Sequence, residues 1–424
     1  MKGRIRLGHK KDALLRDWTI RRMRPPAKVR IPAAHPCVSE GARVVVGQKI
    51  AEPAGAADVP VYAGVSGQVT QIGRFEHPEG GCRMIEITAE KTERTLPEIG
   101  CERKGWQDLS PGALRTLFRA CGLVEMSPGT GALHSRIERA EREEAGLLIL
   151  NACESEPYVA SGHALIMSHP LEILKGAELL RKASGAEQVV ITTEQDKMEA
   201  AELLKSKIYF LKWNHYAVKV LPQAYPQDID TMLSGKTKAT VHLPATAYAV
   251  YEAVVLQKPL YERVVTVGGE CVYEPKNTWV RIGTSLADLF GSCKGLLREP
   301  GRVLLGGPMR GVAAPSREVP VLAGSDALLA IPSEVVRKEN AVPCIRCGRC
   351  TEACPAEISP AMITQAVENF QRATACDYGA GRCLACGNCT YVCPSRRPMS
   401  ELMTKALAWA SLRTKDFRKR DFLT

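Results

Sequence analysis

The sequence predicts a multidomain α/β protein: a β-rich N-terminal unit, a central α/β unit, a small β module and a helical C-terminal unit. Three observations carry that prediction. Residues 28–90 hold short β-branched segments broken by glycine, and residues 108–255 alternate strand and helix signals. Near the C-terminus, two runs of four cysteines share the spacing Cys-x-x-Cys-x-x-Cys-x-x-x-Cys-Pro. At 424 residues the chain is long enough for about three domains. Its 45% apolar content supplies ample core, so no small stapled scaffold is expected.

Residues 1–27 form a basic arm. Across residues 1–30, eleven Lys or Arg face only Asp12 and Asp17, which places +9 of the chain's +11 there. Such charge would steer an acidic partner such as a ferredoxin or flavodoxin, because clustered charge raises encounter rates. A solvated tail or an assembly arm is the competing reading. Nucleic acid is not expected, because no aromatic pattern beyond Trp18 interleaves the basic residues. Residues 28–100 then read as a small sandwich, with strand signals at 42–50, 59–63, 65–72 and 84–88.

In the central unit, residues 146–150, 188–192 and 216–221 read as strands, with helices at 170–184 and 196–210 between them. That rhythm argues for a parallel sheet. Residues 258–312 follow as a compact β-grasp module, leading into the Gly/Pro-rich stretch Gly301–Gly311. The cysteine unit spans 335–402. Between its runs, 359–370 has helical periodicity, with Ser359 at the N-cap and Pro360 in the first turn. A basic tail, 403–424, carries Lys415, Arg418, Lys419 and Arg420.

The runs are Cys344-Ile-Arg-Cys347-Gly-Arg-Cys350-Thr-Glu-Ala-Cys354-Pro355 and Cys383-Leu-Ala-Cys386-Gly-Asn-Cys389-Thr-Tyr-Val-Cys393-Pro394. Three thiolates spaced this way close a loop around one face of a [4Fe–4S] cubane, and in two-cluster ferredoxins the fourth cysteine ligates the other cluster. The expected ligand sets are therefore Cys344, Cys347, Cys350 and Cys393 for one cluster, and Cys383, Cys386, Cys389 and Cys354 for the other. Structural zinc is the alternative, but zinc sites pair two Cys-x-x-Cys hooks rather than two runs of three plus Cys-Pro. Disulfides fit less well, because neighbours this close would compete for partners.

The remaining eight cysteines (Cys37, Cys82, Cys101, Cys121, Cys153, Cys271, Cys293 and Cys376) are scattered without pairable spacing. Clusters with free thiols imply a reducing cytoplasm, that of an anaerobe. No stretch approaches the ~20 apolar residues of a spanning helix, and the N-terminus is charged where a signal peptide is apolar. Any membrane association is expected to be peripheral. Cys121 and Cys153 stand out as a candidate redox pair, against the plainer reading that they are small buried apolar groups.

The order sandwich, α/β, β-grasp and two-cluster unit resembles the RnfC component of Rnf electron-transport complexes. Soluble relatives of that family include cobalamin reductases and the electron-transfer protein of D-proline reductase systems. The resemblance runs from about Pro25 to Glu401. It rests on Val59-Pro-Val-Tyr-Ala-Gly-Val-Ser-Gly67, Asn151-Ala-Cys-Glu154-Ser-Glu156-Pro157-Tyr158, Glu262-Arg-Val-Val-Thr-Val-Gly, Val280-Arg-Ile-Gly-Thr284, Gly306-Gly-Pro-Met-Arg-Gly311 and the cysteine runs. It implies a barrel-sandwich hybrid domain, a domain like the complex I flavoprotein, an SLBB-like β-grasp module and a helical two-cluster ferredoxin domain. No lysine sits in the apical hairpin of the sandwich, so docking rather than a prosthetic arm is expected there.

In that family the α/β domain carries FMN and accepts hydride from NADH. A glycine loop at a helix start lets backbone N–H groups approach phosphate. The resemblance assigns Asn151, Glu154, Glu156 and Tyr158 to the flavin side, and Gly129 and Gly131 to the phosphate loop. That loop departs from the family's pattern: Gly122-Leu-Val-Glu125-Met-Ser127-Pro128-Gly129-Thr130-Gly131-Ala-Leu-His134 replaces a run ending Gly-Phe-Pro-Thr. Residues 225–230, Tyr-Pro-Gln-Asp-Ile-Asp, replace Tyr-Pro-Gln-Gly-Gly-Glu. A carboxylate and a proline at a phosphate cradle add repulsion and remove a donor. FMN is therefore left open, and direct NADH oxidation is not expected.

The leading functional expectation is a relay that moves single electrons through two [4Fe–4S] clusters. It would connect a low-potential carrier or flavin donor to a partner reductase or membrane complex, with no acid–base residues required. An FMN-dependent NADH:acceptor oxidoreductase subunit is the second reading. A third is a non-enzymatic assembly subunit anchored through residues 1–30 and 405–424.

Overall fold

The computed structural model describes residues 3–8, 17–77, 81–127, 129, 131–235, 237–336 and 340–420, with the side chains of 413–420 excluded. Lys2, Lys10, Lys11, Asp12, Arg16, Pro128 and Thr130, and the side chains of Lys415, Arg418, Lys419 and Arg420, therefore lie outside the described residues.

The first strand, β1 (Ile20–Arg22), does not belong to the sandwich that follows it. The sandwich is made by β2 (Lys28–Pro32), β3 (His35–Pro36), β4 (Arg43–Val44), β5 (Lys49–Glu52), β6 (Val61–Tyr62), β7 (Gly67–Phe75) and β8 (Cys82–Ala89). One sheet has the order β2-β8-β7-β4 and the other β3-β5-β6, every pair antiparallel. Alternate residues of the long strands, among them Val29, Ile31, Val69, Ile85 and Ile87, fill the space between the sheets. This is the period-2 burial of a half-solvated antiparallel pair. Glu86 breaks the alternation: its carboxylate is buried, and it accepts from Arg30 Nε at 2.9 Å and Thr70 Oγ1 at 3.0 Å and pairs with Lys28 Nζ at 3.1 Å.

The central domain opens with α1 (Pro111–Ala120), where Ser110 Oγ accepts the Ala113 N–H and Pro111 takes the first helical position. The domain continues through α2 (Leu133–Arg142), β9 (Leu147–Asn151), α3 (Ser161–Ser168), α4 (Pro170–Ser184), β10 (Gln188–Glu194), α5 (Met198–Leu211), β11 (Tyr216–Leu221), α6 (Asp230–Ser234), β12 (Ala239–His242) and α7 (Pro244–Val255). All four strands are parallel, in the order β11-β10-β9-β12. β9 is central and apolar along its length because helices cover both faces. At Gly176 in α4 a Cβ would meet the Ala247 carbonyl of α7 at 1.8 Å, so only glycine permits that helix contact. The chain order reverses between β9 and β12, and a crevice at the carboxyl ends of the strands opens there.

Next come β13 (Glu262–Gly268), β14 (Lys276–Arg281), α8 (Leu286–Ser292), β15 (Arg302–Leu305), β16 (Val312–Ala313) and β17 (Ala327–Ile331). They form a mixed sheet in the order β1-β14-β13-β17-β15-β16. This sheet reaches beyond the expected 258–312 at both ends. β17 is a fully buried strand pairing β13 and β15, and β1 comes from the N-terminal arm, Arg21 facing Thr278 across a parallel ladder. Within the basic stretch 1–27, this pairing and residues 3–8, where Ile5 exchanges two backbone hydrogen bonds with Tyr225 at 2.8 and 2.9 Å, tie the chain to the body of the protein.

The last domain holds α9 (Arg349–Glu352), α10 (Pro360–Glu368), α11 (Arg372–Asp377), α12 (Asn388–Tyr391) and α13 (Met399–Arg420). Ser359 stands at the N-cap of α10 as expected, although its side chain makes no capping bond. The expected break at 402 is not present, because α13 runs on through it and buries Met403 and Ala406 against Ile358, Ile363 and Ala375.

Candidate cluster and nucleotide sites

Each cysteine run enters a short helix through a glycine with positive φ, Gly348 (78°) and Gly387 (78°). The chain can therefore turn tightly inside the run without a Cβ clash. Cys344, Cys347, Cys350 and Cys393 line one cavity of about 1040 Å³, together with Val342, Ile345, Met362 and Arg397. Cys354, Cys383, Cys386 and Cys389 line a second, with Ile358, Leu384, Ala385 and Met403. Three thiols of each run thus share a cavity with the last thiol of the other. Among the described residues no three His, Cys, Asp or Glu side chains converge on a single ion. Thiols ringed around a cavity suit a cubane better than one zinc.

The two cavities differ in their surroundings. Cys344 and Cys347 are exposed, and Ile345 beside them is 66% exposed. Cys354 and Cys386 are buried. Burial pushes the Cys386 and Cys389 thiols up to about 11 and about 12, and a bound cluster would favour their thiolate form.

The inner loop is gripped from three sides. Tyr225 Oη donates to the Cys386 carbonyl at 2.6 Å, and Asn388 Nδ2 donates to Gly3 O at 3.2 Å and Ala353 O at 3.0 Å. A Cβ on Gly387 would stand 2.6 Å from Met309 O.

Beyond Leu384 and Ala385 lies a cavity of about 360 Å³ at the carboxyl edge of the parallel sheet. Asn151, Glu154 and Glu156 line it, with Cys153, Asp228, Arg263, Arg310 and Asp326. Leu384 and Ala385 also line the inner cysteine cavity, so the two spaces share a wall. Gly129 lines an apolar cleft of about 370 Å³ on the far side of Ser127 and Gly306, while Gly131 lines neither space. Tyr158, in the left-handed region at φ 68°, turns away and donates to Glu270 Oε1 at 2.6 Å.

The cavity's polar groups are bonded mainly to one another. Glu156 accepts from Arg310 Nε at 2.7 Å and the Met309 N–H at 2.9 Å, and burial pushes its carboxyl up despite the arginine. Arg310 also pairs with Asp228, which accepts Ser155 Oγ at 2.5 Å. Asn151 bridges Asp228 O (2.8 Å) and the Cys153 N–H (3.1 Å). Burial lowers the Arg263 guanidinium to about 10 and raises Asp326, the carboxylate facing it.

Comparison with known proteins gives each unit a counterpart. The models of the RnfC barrel sandwich hybrid domain, the Nuo51 FMN-binding domain, the SLBB domain and the 4Fe-4S dicluster domain match residues 1–93, 118–258, 264–313 and 343–396. The RnfC-type component of the proton-translocating ferredoxin:NAD(+) oxidoreductase complex of Clostridium ljungdahlii is 31% identical over 80% of this chain and 78% of its own. The chain belongs to the RnfC family.

Two further RnfC-family relatives agree. The counterpart in the ion-translocating oxidoreductase complex of Rhodobacter capsulatus is 30% identical, over 82% of this chain and 71% of its own. The counterpart in the Na(+)-translocating ferredoxin:NAD(+) oxidoreductase complex of Acetobacterium woodii is 28% identical, over 78% and 77%. Among solved structures, the H2-reduced NAD+-reducing [NiFe]-hydrogenase covers 69% of this chain and 62% of its own at TM-score 0.48 and 14% identity, too distant to carry an argument. As an RnfC-family protein with a dicluster domain, the chain is an iron–sulfur electron-transfer protein carrying two [4Fe–4S] clusters. Among the described residues no helix is long and apolar enough to cross a membrane.

The family's second cofactor fits only in part. The 360 Å³ cavity has the size and mixed lining of a small-molecule site. The phosphate end does not fit. Glu125, 3% exposed, accepts the Leu243 N–H at 3.0 Å, Thr246 Oγ1 at 2.6 Å and His242 Nδ1 at 2.6 Å, at the start of α7. Burial raises its carboxyl, but His242, Arg136 and Thr246 outweigh it and hold the group below the ordinary value. No step is therefore assigned to a flavin.

Arg263, Arg310, Asp228 and Asp326 belong to this site and were not singled out from sequence. Arg263 and Arg310 lie within the family motifs and Asp228 within the altered segment 225–230, whereas Asp326 carries no signal. Cys121 and Cys153 are free, and burial raises their thiols to about 11 and about 12, the setting of inert rather than reactive cysteines.

Proposed function

We propose that this protein is a two-step electron relay in a membrane-associated oxidoreductase complex, with an inner station against the α/β domain and an outer one at the surface. The carrying observation is the pair of four-cysteine cavities, one enclosed by Tyr225, Gly3 and Met309 and the other open through Cys344, Cys347 and Ile345. Cys344, Cys347, Cys350 and Cys393 hold the outer cluster, and Cys354, Cys383, Cys386 and Cys389 the inner one. When bound, [4Fe–4S] clusters supply one-electron chemistry at potentials set by burial and hydrogen bonding.

The chain's own contribution is to fix each loop, exclude water from the inner cavity and leave the outer rim accessible. Exposed Arg346 lines that rim, and Arg349, also exposed, lies in the same cysteine run; both favour an acidic partner, a ferredoxin, a flavodoxin or an acidic face of a neighbouring protein in the complex. The chain works at the cytoplasmic face of the membrane as a peripheral component, as the complexes named for its relatives support.

The test is anaerobic purification with iron and sulfide analysis, followed by dithionite titration and electron paramagnetic resonance. About eight irons per chain in two reducible clusters support the relay. A stable fold holding about four irons or fewer after reconstitution would refute it.

A further inference from the structure

Two helices begin at the switch point of the parallel sheet, α3 after β9 and α7 after β12. Helix starts at such a crevice are where phosphates are held, because the first-turn N–H groups are unpaired and the helix dipole favours an anion. In this chain both already hold a carboxylate. Glu154 accepts the Gly162 and His163 N–H groups at 2.6 and 3.1 Å at the start of α3. Glu125 accepts the Leu243 N–H, Thr246 Oγ1 and His242 Nδ1 at the start of α7, with Arg136 Nε 4.0 Å away.

The other candidate anion partners are engaged as well. Arg310 pairs with Glu156 and Asp228, and Arg263 donates to the Met126 and Ala323 carbonyls and faces Asp326. Leu243, Pro244 and Ala245 line the 360 Å³ cavity, while Glu125 lines the adjoining apolar cleft, so the filled seat lies between the two spaces.

We propose that Glu125 is the specificity-determining residue of the α/β domain: its carboxylate occupies the anion seat at the start of α7, so the cleft refuses phosphate-bearing ligands and keeps room for their uncharged, ring-bearing counterparts. A phosphate approaching this seat meets a like charge at contact distance, and finds the Leu243 N–H, the Thr246 hydroxyl and His242 Nδ1 already engaged. Removing the side chain frees the Leu243 N–H, Thr246 and His242, with Arg136 beside them, for an incoming anion. The relay through the cysteine cavities does not depend on this assignment, and iron analysis reports on that relay separately.

The test is calorimetric titration of the full-length, cluster-loaded chain with FMN and with riboflavin, which share the ring and differ by the phosphate. The wild type is expected to bind riboflavin in preference to FMN. Glu125→Gly is expected to tighten FMN by roughly 10- to 100-fold, the range for charge-assisted hydrogen bonds, and to leave riboflavin within about twofold. Inorganic phosphate should raise the melting temperature of that variant and not of the wild type. Glu125→Gln keeps the side chain's shape without its charge and should raise the FMN-to-riboflavin affinity ratio by a smaller factor, so the proposal stays testable if the glycine variant does not fold. A wild type that prefers FMN overturns the proposal, as does a ratio unchanged in both variants.

Discussion

The hydroxyl of Tyr225 is expected to hold the inner cysteine loop in place, and Tyr225→Phe isolates that contribution. The substitution removes one oxygen and leaves the ring in its packing. What is lost is a 2.6 Å hydrogen bond to the Cys386 carbonyl between a side chain 1% exposed and a residue 8% exposed. A buried carbonyl left without a donor costs about 1–3 kcal/mol. That is roughly a 5- to 150-fold rise in the undocked population of the loop. The effect should be local, because Tyr225 is not among the residues that line the outer cavity. Denaturant titration followed by visible absorbance is expected to show half of the cluster signal bleaching at a lower midpoint than wild type. The far-ultraviolet circular dichroism of the β domains should be unchanged at that point. If Tyr225→Phe bleaches at the wild-type midpoint in a single transition, the idea that this contact holds the inner cluster in place is wrong.

Other expectations follow from the same geometry. Cys354→Ser should abolish the cluster shared with Cys383, Cys386 and Cys389 and spare the one beside Cys347, leaving about four irons per chain and one paramagnetic signal on reduction. Gly387→Ala places a Cβ 2.6 Å from Met309 O at a positive φ, so it should lower cluster occupancy on the inner side without affecting Cys347 accessibility to alkylation. Deleting residues 1–8 removes the Ile5–Tyr225 bonds and the Gly3 carbonyl that accepts from Asn388; dialysis against a chelator should then strip the inner cluster faster than the outer. In Glu86, burial raises the carboxyl but Arg30, Lys28 and Thr70 together hold it below its ordinary value of 4.5. Its contribution to stability is therefore present above that value and lost as pH falls through the depressed one. Acid titration of Glu86→Gln should show a flatter loss of sandwich stability than wild type.

Much of this is readable from sequence where the signal is local. Cysteine spacing is covalent arithmetic, which is why the eight thiols of the two runs can be picked out from the chain's sixteen cysteines. The helices 170–184 and 196–210 appear as Pro170–Ser184 and Met198–Leu211, because apolar periodicity, aided in the first by a leading proline, fixes such elements within their own length. β1 cannot be read this way: Ile20–Arg22 is a three-residue strand inside a charged run and exists only because β14 offers it an edge. Tyr225 and Cys386 lie 161 residues apart, and no window of sequence links them. Glu125 is visible in the sequence as an obstacle to phosphate. What sequence alone does not show is that the carboxylate is satisfied, bonded into α7 by residues more than a hundred positions away. Tyr158 shows how a motif residue can keep its place in the chain and still point elsewhere, since a left-handed backbone at that position carries its hydroxyl to Glu270.

The grip of residues 3–5 on Tyr225 and Asn388, together with the pairing of β1 against Asn277–Trp279, sets an order of events in the cell. Ile5 and β1 find their neighbours within the central units, but Gly3 meets Asn388 only once the last domain has been made, 385 positions further along. Contacts of such long sequence separation form late. A chain arrested before residue 388 would leave Gly3 without this last bond. Residues 3–5 and the inner cysteine loop thus brace each other across nearly the full span of the fold, and neither is fully held until both are in place.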